Sequence, residues 1–98
     1  MNRGWAVIIN PQSKGGDTKK KIPAIKHLLE LNKIDFTLYK TKNTGDELNI
    51  VARAAKEGFR KFVCGGGDGT MQKIVAGIQR QKSCNPKEIV VGIIPIGT

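Results

Sequence analysis

The sequence predicts an α/β fold, a three-layer α/β/α arrangement with a parallel sheet in the middle. Two patterns carry that reading. Short runs with strand character alternate with stretches of helical periodicity from one end of the chain to the other, as in a parallel sheet with helices packed on its faces. The third such run, Phe62-Val63-Cys64, meets four glycines within positions 65–69, interrupted only by Asp68, before helical periodicity resumes at Met71, Ile74, Val75 and Ile78. That is the pattern of strand, tight turn and helix.

Taken in order, Trp5-Ala6-Val7-Ile8-Ile9 is a continuous apolar run, as expected of a strand covered on both faces. It ends in the turn-rich loop 10–16, Asn-Pro-Gln-Ser-Lys-Gly-Gly. A helix follows with Ile22, Ile25, Leu28 and Leu29 on one face. Because proline lacks an N–H and clashes with the preceding turn, Pro23 places the regular start of this helix near residues 20–22. Residues 31–34 close it, and 35–39 alternate as a second strand. The polar turn 41–46 leads to a second helix with Leu48, Val51, Ala52, Ala55 and Phe59 at helical spacing, and Gly58 is its expected stop. The third strand covers 61–64 and its helix 69–81. A polar loop at 82–88 leads to the fourth strand, 89–94, and to Pro95-Ile96-Gly97-Thr98.

Parallel strands joined by right-handed crossovers send all their strand-to-helix turns to one edge of the sheet. The turns 10–16, 41–46, 65–70 and 95–98 therefore converge at the carboxyl ends of the strands, where open α/β sheets bind ligands. A run of glycines there suggests positive φ angles or a ligand against the backbone. Successive N–H groups and the positive end of the following helix would suit a phosphate. A purely structural alternative has the glycines turning the chain and Asp68 capping the helix.

Composition limits the rest. At 98 residues the chain is read as one nucleotide-binding domain, residues 1–98. The net charge of +9 favours anionic partners, although solvated surface accounts for most of it. Aromatic residues are too sparse for a base-stacking platform, so nucleic acid is not expected as a partner. Cys64 and Cys84 have no metal-ligand spacing and imply no disulfide, which makes a reducing cytoplasm the default location. His27 reads as a surface or packing residue.

The chemistry of the edge narrows by exclusion. The first turn lacks a dinucleotide fingerprint, the second strand ends in Tyr39-Lys40 rather than an acid, and Thr70 follows Gly69 rather than the lysine of a P-loop. A carboxylate inside a phosphate cradle fits only if it serves Mg²⁺ or orients or deprotonates an attacking hydroxyl. Either use points to phosphoryl transfer.

Asn10-Pro11-Gln12-Ser13 after the first strand, Gly66-Gly67-Asp68-Gly69-Thr70 after the third and Pro95-Ile96-Gly97-Thr98 after the fourth together resemble the catalytic domain of diacylglycerol kinases, shared with sphingosine kinases and bacterial soluble lipid kinases. The glycine block alone also occurs in NAD kinases and has a counterpart in phosphofructokinases, so the implied fold is that nucleotide-binding domain. The resemblance implies an ATP- and Mg²⁺-dependent kinase acting on a lipid hydroxyl, with peripheral membrane contact. Gly66, Gly67, Gly69 and Thr70 would hold the phosphates. Asp68 would be catalytic, serving the metal–phosphate network or the acceptor hydroxyl. Asn10 and Ser13 would line the nucleotide site, Thr41 would approach the ribose or adenine, and Gly97 and Thr98 would begin the last nucleotide loop. In the family an Asn-Asp pair and a β-rich domain follow, so the chain is expected to be a truncated nucleotide-binding half with no turnover of its own, and its bare sheet edge makes a homodimer one expectation. The family's Asn-Glu after the block is replaced by Gln72-Lys73, and Lys14 stands where glycine is usual. An NAD kinase-like enzyme and a non-catalytic nucleotide-binding module are the alternatives.

Overall fold

A computed structural model of the chain describes residues 4–12, 16–43 and 45–94. Strands β1 (Trp5–Ile9), β2 (Phe36–Lys40), β3 (Lys61–Gly65) and β4 (Val90–Ile93) alternate with helices α1 (Asp17–Leu31), α2 (Asp46–Lys56) and α3 (Asp68–Arg80), and a 3-10 turn at Pro86–Glu88 precedes β4. The sheet is parallel throughout, with strand order β2-β1-β3-β4.

Side chains of β1 alternate between the two faces, as the strand period of two requires. Val7 and Ile9 pack with Ile22, Ile25 and Leu29 of α1 on one side. Ala6 and Ile8 join Phe62, Cys64 and residues of α2 and α3 on the other. The three layers follow from this division. Ile8, Phe62 and Ile74 are fully buried, each contributing about 1.5–3 kcal/mol of apolar burial.

α1 begins at Asp17, several residues before the expected start, and Pro23 lies inside it. Proline there removes one helical hydrogen bond and crowds the carbonyl four residues back. The continuous buried face of Thr18, Ile22, Ile25 and Leu29 spans the exposed proline and outweighs that loss. Leu28, assigned to the same face from the sequence, is 56% exposed. In α2 the buried face is Glu47, Ile50, Val51, Ala54 and Ala55. Ala52 points outward, Leu48 is half-buried and Phe59 is buried beyond the helix end. Gly58 has φ of 104°, in keeping with a glycine stop. α3 starts at Asp68 and buries Thr70, Ile74, Gly77 and Ile78, with Val75 left 39% exposed.

α2 and α3 pack closely at Gly77, where a Cβ would come within 3.0 Å of Val51 Cβ and 3.3 Å of Leu48 Cα. At the far end of α3, Gln81 organises the next loop. Its Oε1 accepts from the N–H groups of Ser83 and Cys84, and its Nε2 donates to the Cys84 carbonyl. β4 is an edge strand with Val90 and Ile93 exposed.

Candidate functional site at the carboxyl edge of the sheet

The crossovers from β1 to β2 and from β2 to β3 run in opposite directions along the sheet, so a switch point lies between β1 and β3 at their carboxyl ends. Ile9 pairs in register with Lys40 on one side and Gly65 on the other. Asn10 therefore leaves the sheet between Thr41 and Gly66, with adjacent strands spaced about 4.8 Å apart. Sequence reasoning brought these turns together, and the register shows this where the first three leave β1, β2 and β3. Ser13, Gly97 and Thr98, with Lys14, lie outside the described residues.

Each turn is held by its own hydrogen bonds. Asn10 Oδ1 accepts from the Gln12 N–H at 3.0 Å, and the Pro11 carbonyl accepts from the Lys19 N–H. Thr41 is buried, and its N–H donates to the Ile9 carbonyl at 2.9 Å. Asp46, the first residue of α2, folds its side chain back so that Oδ2 accepts from the N–H groups of Lys42 and Asn43, each at 2.8 Å. Those bonds, that from Asn43 foremost, hold its carboxyl below the ordinary value of 3.8. Gly16 and Gly45 enter α1 and α2 with φ of 93° and 89°, a left-handed conformation that glycine adopts without strain.

The glycines of the third turn play different parts. None has a positive φ, contrary to one expectation from the sequence. Gly65 and Gly66 are required by packing: a Cβ on Gly65 would sit 2.8 Å from Ile9 Cγ1, and one on Gly66 2.7 Å from Thr70 Oγ1. A Cβ on Gly67 or Gly69 would meet nothing within 4 Å among the described residues. Gly67 is the N-cap of α3 in an extended conformation open to any residue, and among the described residues no side chain caps the helix. Asp68 is exposed at the first helical position and does not cap, so the structural alternative fails for this residue. The first turn of α3 thus offers uncapped N–H groups beside open space, the arrangement that receives an anion. Thr70 is 4% exposed, and its side chain packs on Gly66.

Beneath the turn, Cys64 is buried and free. Burial pushes its thiol up from the ordinary value of 9.0, the Gly66 N–H opposes that, and the charges of Glu47 and Asp68 add to it. Beside the turn, a cavity of about 140 Å³ is lined by Asn10, Gln12, Thr41, Lys42, Asn43, Glu47 and Lys73. Sequence reasoning placed Asn10 and Thr41 here but missed Glu47, which occupies an ordinary position in the first turn of an amphipathic helix. Lys73, noted only as a departure from the family pattern, reaches the same cavity. Among the described residues no group of three or more His, Cys, Asp or Glu could cage a metal ion, and no helix is long and apolar enough to cross a membrane. His27 lies on the exposed side of α1 beside Ile22 and Lys26.

By fold this is a three-layer parallel α/β structure with a glycine turn at its switch point. The chain belongs to the diacylglycerol kinase catalytic domain family, whose model matches residues 4–98. It is 31% identical over its whole length to a diacylglycerol kinase of Staphylococcus carnosus (strain TM300) and 34% identical to one of Staphylococcus haemolyticus (strain JCSC1435), covering 31% and 28% of those proteins. It thus spans about a third of the length of the curated relatives it matches. A solved Bacillus anthracis (strain Sterne) structure, described as a candidate diacylglycerol kinase, superposes over 98% of this chain and 31% of its own, with a TM-score of 0.67 and 23% identity. That likeness establishes the fold.

Proposed function

We propose that this chain is the nucleotide-binding half of an ATP-dependent lipid kinase of the diacylglycerol kinase kind, transferring the γ-phosphoryl group to a lipid hydroxyl. The observation that carries the proposal is the open space over Gly67 and Gly69. Among the described residues nothing explains the absence of side chains at these two positions, whereas Gly65 and Gly66 are explained by Ile9 and Thr70. The bare backbone and the N–H groups of Asp68, Gly69 and Thr70 would receive the terminal phosphates. Thr70 would fix the turn through its packing on Gly66, and Asn10 and Thr41 would line the nucleoside side. Ser13, Gly97 and Thr98 complete the proposed set.

Asp68 is exposed at the mouth of this cradle. It would hold or orient the acceptor hydroxyl, or serve as a carboxylate ligand of nucleotide-bound Mg²⁺, an ion usually held by one or two carboxylates plus phosphates rather than by an all-protein cage. Bound Mg²⁺ would supply neutralisation of phosphate charge. The same reading makes the lipid the membrane-borne partner and places the protein in the cytoplasm at the membrane periphery, with residues 1–98 acting as one domain.

Calorimetric titration with ATP, ADP and NAD, with and without Mg²⁺, tests this reading. Mg²⁺-dependent adenine-nucleotide binding, weakened in Asp68→Ala, is expected. A folded sample that binds none of the three would sink the proposal. Preference for NAD would replace it with the NAD kinase reading, and binding indifferent to both Mg²⁺ and Asp68→Ala would leave a non-catalytic module.

A further inference from the structure

Glu47 is the side chain at this edge that the fold leaves unexplained. It lies in the first turn of α2, is 2% exposed, and its Oε1 has no hydrogen-bond partner among the described residues. A buried acceptor without a donor is unfavourable, and native structures rarely retain one without a use. The side chain lines the 140 Å³ cavity, facing Asn10, Thr41, Lys42, Asn43 and Lys73.

The lining says what belongs there. A carboxyl oxygen without a partner is an open acceptor, so whatever meets Oε1 must carry a donor. Lys42 and Lys73 admit an anionic molecule into the same space. Among the described residues no aromatic or large aliphatic side chain lines the cavity, whereas a purine ring would call for apolar walls. A hydroxylated sugar attached to phosphate meets all three conditions. The position agrees: the cavity opens beside Asn10 and Thr41, one strand removed from the glycine turn. In dinucleotide-binding sheets an acid near this edge accepts the ribose hydroxyl. Here β2 ends in Lys40, and the acid arrives from α2 instead.

We infer that Glu47 accepts hydrogen bonds from the ribose hydroxyls of the bound nucleotide and makes the site selective for ribonucleotides over deoxyribonucleotides. The inference rests on the nucleotide reading of the glycine turn.

Affinities for ATP, 2′-deoxy-ATP and 3′-deoxy-ATP, measured calorimetrically on the wild type, Glu47→Gln and Glu47→Ala, test it, with circular dichroism confirming that each sample is folded. The wild type is expected to bind ATP about tenfold more tightly than at least one deoxy analogue, the scale of one hydrogen bond to a charged group. Discrimination should shrink in Glu47→Gln and vanish in Glu47→Ala. Equal binding of all three by the wild type, or undiminished discrimination in a folded Glu47 variant, overturns the inference and leaves nucleotide binding intact. Failure of the folded wild type to bind any of them overturns both. If Glu47→Ala does not fold, the wild-type comparison and Glu47→Gln still decide.

Discussion

Gly66 and Thr70 are in contact across the turn that opens α3: a methyl group on Gly66 would be placed 2.7 Å from Thr70 Oγ1 and 2.9 Å from Thr70 Cβ. Thr70 is buried and cannot swing into solvent without giving up that burial. Gly66→Ala is therefore expected to destabilise the domain by about 1–3 kcal/mol, the usual range for overpacking. Gly69→Ala should do the reverse, because position 69 is helical and open, and alanine gains up to about 1 kcal/mol of helix propensity over glycine. Both Gly67→Ala and Gly69→Ala should weaken ATP binding, and Gly69→Ala should do so without lowering the melting temperature, whereas alanine at the N-cap position 67 costs some stability. Thermal melts paired with ATP titrations of the three variants check this, and unchanged affinity in both open-position variants would count against the cradle.

The clamp made by Asp46 gives a pH dependence. Its folded-state pKa is depressed below 3.8, first by the Asn43 N–H and then by that of Lys42. A depressed carboxyl pKa contributes stability above the unfolded value, which is lost as the pH falls through the folded value. The wild type should therefore melt higher than Asp46→Asn at pH 7, and the difference should close below about pH 3.8. Melting curves from pH 7 to 3 on both proteins check the sign. A gap that widened in acid would show that the clamp does not operate.

Cys64 and Cys84 should differ in reactivity. The Cys64 thiol is buried and its pKa is raised, so less thiolate is available at any given pH, while Cys84 is half-buried in the loop around Gln81. With a chromogenic disulfide at pH 8, one thiol per chain should react quickly and the second only on unfolding. The fast phase should disappear in Cys84→Ser.

Gly77 sets the distance between α2 and α3. Alanine there gains helix propensity but presses on Val51 and on the Leu48 backbone, so the two effects largely offset one another. Valine adds two methyl groups where the Leu48 Cα cannot yield. Gly77→Val should destabilise by about 1–3 kcal/mol. Denaturant titration measures it, and a neutral result would mean that the helices part more easily than their packing implies.

The family assignment and the position of the candidate site were legible in the sequence. Alternating strand-like and helical segments are local properties, and right-handed crossovers turn that alternation into one functional edge. Asn10, Thr41 and the glycine turn could be placed together because each immediately follows a strand. The buried faces of the helices were harder to read. Ala52 and Val75 sit within helical spacing of core residues, yet only packing against a particular sheet decides which flank of a helical stripe is covered.

What the sequence by itself determined was therefore the layering, the strand sequence and the address of the candidate site, because period-two and period-3.6 patterns are written in neighbouring residues. Tertiary structure alone decided that α1 continues through Pro23, because the burial favouring that continuation lies across the sheet. It separated two glycines required by Ile9 and Thr70 from two that face open space, a distinction that depends on atoms brought close by folding. And it carried Glu47, a residue no local pattern marks, into the cavity beside Asn10 and Lys73, because the contacts that bury a side chain come from elements distant in the chain.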